Sequence, residues 1–140
     1  MFKISISQKD ARFIIKEDER KIICLIEDTK FIAYRYINQN TRLSIDHNDA
    51  KILIMPNRFV GVATCDSNDK WDEELGRKIA FHKAKNKFNT SLFKHLDNYV
   101  NLIDSYLMEG IEAINTYGEK LSNISEREEK YIERLIDKNE

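Results

Sequence analysis

The chain has 140 residues, 41% hydrophobic and 34% charged, with 23 Lys and Arg set against 24 Asp and Glu for a formal net charge of -1. That length is enough for one ordinary domain with a buried core, without help from disulfides or metal. One proline and four glycines exclude a long disordered linker or a turn-dense sandwich, and near-neutral charge argues against a nonspecific polyanion binder that is basic throughout.

Residues 1–65 carry the β signature of short runs rich in Ile, Val, Phe and Tyr broken by polar clusters. Strands are expected at Phe2 to Ser7, Arg12 to Lys16, Lys21 to Glu27, Lys30 to Ile37, Arg42 to Ile45, Lys51 to Met55 and Arg58 to Cys65. EDER and INQNT suit hairpin turns, so the sheet is expected to be mostly antiparallel. In FIAYRYI, period-two alternation would put Phe31, Ala33, Arg35 and Ile37 on one face and Ile32, Tyr34 and Tyr36 on the other.

After Cys65 the period becomes helical. Trp71, Leu75, Ile79 or Ala80, Ala84 and Phe88 form a stripe that predicts a buried helix face, opened by acids in the first turn. Asn89-Thr90-Ser91 reads as the cap of a second helix, in which Leu92, Leu96, Tyr99 or Val100, Ile103, Tyr106 or Leu107, Ile111 and Ile114 recur as in a bundle or coiled coil. Ser125-x-x-Glu128 fits a capping box for a third helix. Gly118 and Asn123 allow a break before it, with one continuous helix as the alternative. The fold class expected is therefore α+β: one domain over 1–140, with a sheet over 1–65 and two or three helices over 70–140. Narrow apolar stripes predict a homo-oligomer built through residues 92–136, where Tyr99, Tyr106 and Tyr117 read as seam positions.

Chemistry is sparsely signalled. GRKIAFHKAKNKFNTSLFKH, residues 76–95, holds Arg77, Lys78, Lys83, Lys85, Lys87 and Lys94 without an acid. On a helix, Arg77, Phe81 and Lys85 share one side, beside a row of Lys78, His82, Lys85 and Asn89. Arg clamps phosphate, Lys adds charge, an aromatic ring stacks on a base and Asn bonds a polar edge. The plainer alternative is a solvated basic helix face with Phe81 in the core. Arg58, at the start of RFVGVATC, reads either as a second anion contact or as an edge charge that discourages aggregation. His47, His82 and His95 lack metal-ligand spacing, and GxSxG, GxxxxGK[ST] and GxGxxG are all absent, so neither catalytic residues nor a metal or other cofactor are expected. Cys24 and Cys65 lie in apolar runs without CxxC spacing, as thiols of a reducing compartment do. MFKISISQKD has no apolar signal-peptide region, so a cytoplasmic location is expected.

Residues 58–88 combine a strand ending in V-A-x-C, an acidic loop and a helix opening D-x-x-x-G-x-x-x-A. With the preceding sheet and the following helices, this resembles the phage anti-Thoeris proteins of the Tad type. The resemblance implies a symmetric homo-oligomer that sequesters, without cleaving, a cyclic ADP-ribose isomer or a cyclic oligonucleotide made by a bacterial immune system. It implies Arg58, Arg77, Phe81, Lys85 and Asn89 as ligand contacts, with Phe81 stacked on the base and the cations on the diphosphate. The alternative for the same basic helix is a nucleic-acid-binding or phage structural module, and a phosphodiesterase is a third reading.

Overall fold

RFIIK and KIICLIE form β1 (Arg12–Lys16) and β2 (Lys21–Glu27), and RFVGVAT forms β3 (Arg58–Thr64). All three lie in one antiparallel sheet of order β1-β2-β3 in the computed structural model, which describes residues 2–139. The arrangement is α+β, with the sheet in the N-terminal part and a long helix after it. The β1–β2 turn closes on Arg20, held at φ 55° in the left-handed region, and the neighbouring pair Lys16 and Lys21 sets the register. In β2 and β3 the cross-strand partners Ile22 and Ala63, Cys24 and Gly61, and Ile26 and Phe59 share one face and are buried. Ile23 and Leu25 occupy the other face with Val62 and Val60.

The other expected strands are not strands. Ile32–Asn40 is a helix, α1, because its inward positions recur at helical and not alternate spacing. Ala33 is buried, Tyr36, Ile37 and Asn40 are half-buried, and Phe31, Arg35, Asn38 and Gln39 are exposed. His47–Ala50 forms a short helix, α2, whose Asp46 cap accepts from the Asn48 amide at 2.8 Å, and Lys51–Leu53 continues as a 3-10 turn in place of a strand. Arg42–Ile45 is irregular. Phe2–Ser7 alternates as a strand would but pairs with no strand. It is tied to α1 instead: Asn40 Nδ2 donates to the Phe2 carbonyl at 2.8 Å, the Phe2 amide donates to Asn40 Oδ1 at 3.1 Å, and the Arg35 guanidinium lies 4.8 Å from the Phe2 ring centre. Buried Thr29 fixes the start of α1 by donating its hydroxyl to the Pro56 carbonyl, while the Met55 amide donates to the Lys30 carbonyl at 3.0 Å.

The expected helices are a single one, α3, spanning Glu73–Asn139. Asp72 caps it by accepting from the Leu75 amide at 3.1 Å. No break occurs at Asn89-Thr90-Ser91. Thr90 Oγ1 turns back to donate to the Asn86 carbonyl at 2.8 Å, so its hydroxyl is spent inside the helix and not on a cap.

The chain forms two compact units, Met1–Tyr99 and Val100–Glu140. In the first, α3 lays a row of small residues, Gly76, Ala80 and Ala84, across the sheet. A Cβ on Gly61 would stand 2.0 Å from the Ala80 carbonyl oxygen, and one on Gly76 would stand 2.5 Å from Ile22 Cδ1, so helix and sheet meet almost backbone to backbone. Phe88, 1% exposed, closes the row edge-on to Phe59 with ring centres 5.6 Å apart, a burial that contributes about 1.5–3 kcal/mol. The buried face holds Ala80, Ala84 and Phe88 of the expected stripe and adds Phe81, while Leu75 and Ile79 of that stripe are 53% and 41% exposed. In the second unit, no described residue is buried.

Candidate functional site

Sequence reasoning placed five ligand contacts, and the fold separates them. Arg77, Phe81 and Lys85 do form one row on α3. The Arg77 guanidinium packs 5.0 Å from the Phe13 ring centre of β1 and pairs with Glu73 Oε2 at 3.3 Å. Phe81 is 4% exposed, beside the His82 ring, with the Lys85 ammonium 5.8 Å from its own centre. Within the chain its ring belongs to the core, so it has no open face to offer a base. Asn89 is exposed one turn further along.

Arg58 belongs to the other side of the sheet. Phe59 faces the helix, so Arg58 faces away from it, opposite Glu27. Arg12 donates to both Glu27 oxygens, at 2.8 and 3.4 Å, and this pairing, with a smaller contribution from Arg58, holds the Glu27 carboxyl below the usual carboxylate range. Arg58 is therefore the edge-of-strand partner of an acid and does not converge with the helix row.

Two further lysines of the basic stretch are committed elsewhere. β3 is an edge strand, and its outward carbonyls at Val62 and Val60 accept from Lys83 Nζ at 3.1 Å and Lys87 Nζ at 2.9 Å. One turn of helix separates the two ammonium groups, which matches two residues of strand closely enough for both to reach. On the exposed side of the helix, Lys78, Ile79, His82, Lys83 and Asn86 border an open hollow of about 410 Å³.

A second cavity, about 220 Å³, sits where β3 leads into α3, walled by Ile22, Trp71, Leu75 and Ile79 with Cys65 at its edge. Its loop is organised by Arg20, whose Nη2 donates to Cys65 Sγ at 3.1 Å, to the Asp66 carbonyl at 3.0 Å and to the Asp69 carbonyl. Cys24, the other thiol, is fully buried, and burial pushes its pKa up to about 11. It stays protonated and unreactive at neutral pH.

The site with the chemistry expected of a nucleotide contact lies on α1 and α2. Phe31, Tyr34, Ile45, His47, Ala50, Lys51 and Ile54 line a hollow of about 500 Å³, within the usual range of small-molecule sites. Phe31 stands 52% exposed at its rim, with the Lys30 ammonium 5.3 Å from the ring centre. An exposed aromatic ring, a second ring, an imidazole and the Lys51 ammonium line it, with Lys30 over the Phe31 ring. Sequence reading missed these residues because a strand over Lys30 to Ile37 sends Phe31 and Tyr34 to opposite faces. On a helix, residues three apart are neighbours.

Among the described residues no three His, Cys, Asp or Glu side chains cluster as metal ligands, and no helix is long and apolar enough to cross a membrane. Comparison of the chain with protein-family models, with curated proteins and with solved structures finds no match.

Proposed function

We propose that the chain is a self-associating, non-catalytic binding protein that captures a nucleotide-derived messenger of the cyclic ADP-ribose or cyclic oligonucleotide class. Capture by stoichiometry needs no turnover, and in a phage-encoded cytoplasmic protein it would blunt a host defence signal. One observation carries the reading: the α1–α2 hollow combines an exposed ring at Phe31, which carries the Lys30 ammonium over it, with Tyr34, His47 and Lys51. Stacking on Phe31 supplies about 1–3 kcal/mol per base, and the ammonium groups neutralise phosphate. Phe31 thereby takes the role expected of Phe81. Arg77, Lys85 and Asn89 remain cationic and amide groups on one helix face, and Arg58 stays opposite Glu27 across the strands.

Calorimetry with cyclic ADP-ribose isomers and cyclic di- and trinucleotides tests this. Binding of one of them is expected, weakened about tenfold or more by Phe31→Ala and further by Lys51→Glu, while Phe81→Leu leaves affinity unchanged. No heat with any of them at high micromolar concentration overturns it. Heating the complex is expected to return intact ligand; recovery of a cleaved product would make the protein a phosphodiesterase.

The hollow beside Lys78, His82 and Lys83 favours a second reading, nucleic-acid binding along the basic face of α3. It ranks lower because Lys83 and Lys87 are engaged by the β3 carbonyls. Retardation of RNA or DNA in a low-salt gel, lost steeply with added salt, would promote it.

A further inference from the structure

Within Val100–Asn139 nine apolar residues of α3 keep a seven-residue period. Val100, Leu107, Ile114, Leu121 and Leu135 form one series, and Ile103, Tyr117, Ile124 and Tyr131 form a second, three residues further on. Ile103 is half-buried, and the others are exposed, from 40% at Ile124 to 73% at Ile114. On the opposite side the same period places Glu112, Glu119, Glu126 and Glu133 in line. A straight helix drifts about 20° per heptad from such a pattern, so the two apolar series stay aligned only against another helix wound left-handedly with this one.

We propose that this covering helix is the same segment of a second copy, running antiparallel and centred on Glu119. The inference deepens the self-association stated above and rests on it. Residues equally far before and after Glu119 then oppose one another. Ile114 meets the partner's Ile124, Leu121 meets the partner's Tyr117, Leu107 meets the partner's Tyr131 and Leu135 meets the partner's Ile103.

The choice of direction comes from the positions that break the apolar pattern: Gly110, Glu128 and Lys138. In this alignment Glu128 lies over the partner's Gly110, where the missing side chain leaves room for its methylenes to pass and its carboxylate to reach water. A Cβ on Gly110 meets nothing within 4 Å in its own chain, so that space is open to a partner. Lys138 lays its stem on the partner's Val100, with the ammonium free beyond the last turn. A parallel pair in register would instead set Glu128 against the partner's Glu128 and leave a hole between two glycines.

The test uses full-length chains with Cys65→Ser, in a glutathione redox buffer. Gly110→Cys protein mixed with Glu128→Cys protein is expected to give a disulfide-linked pair joining the two variants, while neither variant alone cross-links to itself. Self-linkage of each variant alone, with none between them, overturns the antiparallel direction but leaves self-association standing. Analytical ultracentrifugation of the unsubstituted chain is expected to show a dimer or a multiple of dimers at micromolar concentration, reduced by Leu121→Asp with the sheet unit's thermal transition retained. A monomer at that concentration overturns self-association itself. Both readouts are made without ligand, so neither depends on the α1–α2 hollow binding a nucleotide.

Discussion

At Gly61 a single missing side chain decides how the first unit packs. The backbone of α3 crosses β3 there so closely that an added Cβ would meet the Ala80 carbonyl oxygen and the Ala84 nitrogen, at 2.0 and 2.5 Å. Both obstacles are backbone, and neither yields by changing rotamer. Gly61→Ala must therefore lift the helix from the sheet and break the contact of Phe88 with Phe59. The expected cost is about 3 kcal/mol or more, the upper end for overpacked cores, read as a fall of about ten degrees or more in the thermal midpoint. Gly118→Ala is the matched control. Nothing lies within 4 Å of its added Cβ, so it is expected to be neutral or to stabilise the helix by up to about 1 kcal/mol. Equal losses at the two positions would show that close approach at Gly61 is not what holds the helix down.

Among the elements, the sheet was legible and the helices only partly so. β1, β2 and β3 were readable because hydrophobic β-branched runs sat between clear turn signals, and their bounds agree with expectation except that β3 stops at Thr64 and not at Cys65. α1 was misread because Phe, Ile and Tyr favour strands. Its spacing of Ala33, Tyr36 or Ile37, and Asn40 was the correct guide, and the contacts of Asn40 and Arg35 with Phe2 are invisible in a linear pattern. Phe81 was misplaced for a related reason: the expected stripe included Ala80, Ala84 and Phe88, which are buried, but its large residues Leu75 and Ile79 drew it away from Phe81 and from Gly76, where the helix approaches the sheet closely. The basic stretch was legible as charge but not as function, since Lys83 and Lys87 guard the open edge of β3. Unpaired edge carbonyls invite another strand, and a bound ammonium blocks that approach. Replacing both with Met is expected to cost little stability, about 1 kcal/mol for each lost hydrogen bond, yet to raise turbidity well below the melting temperature. Lys78→Met, which removes an exposed charge from the same helix, is expected to leave the solution clear. Equal turbidity from all three substitutions would assign the effect to net charge and not to the strand edge.

For the whole molecule, the distribution of buried residues separates folding from association. Every buried residue among those described lies at or before Tyr99, and the α1–α2 hollow lies in the same unit. From Val100 onward no described residue is buried, although a helix gains most of its stability from tertiary contact. The first unit is stabilised by its own core, and the proposed self-association would supply the second with a partner helix. A chain ending after Asp104, one turn beyond Tyr99, isolates the difference. It is expected to remain folded, with a cooperative melt within a few degrees of the full chain, and to sediment as a monomer at concentrations where the full chain associates. If the hollow alone holds the ligand, the shortened chain also keeps its affinity for whichever cyclic nucleotide binds the full chain. Loss of the cooperative melt would show that the second unit supports the first. A retained melt with lost binding would move the ligand site to a subunit boundary, where Arg77, Lys85 and Asn89 are the cationic and amide groups nearest to hand on the helix.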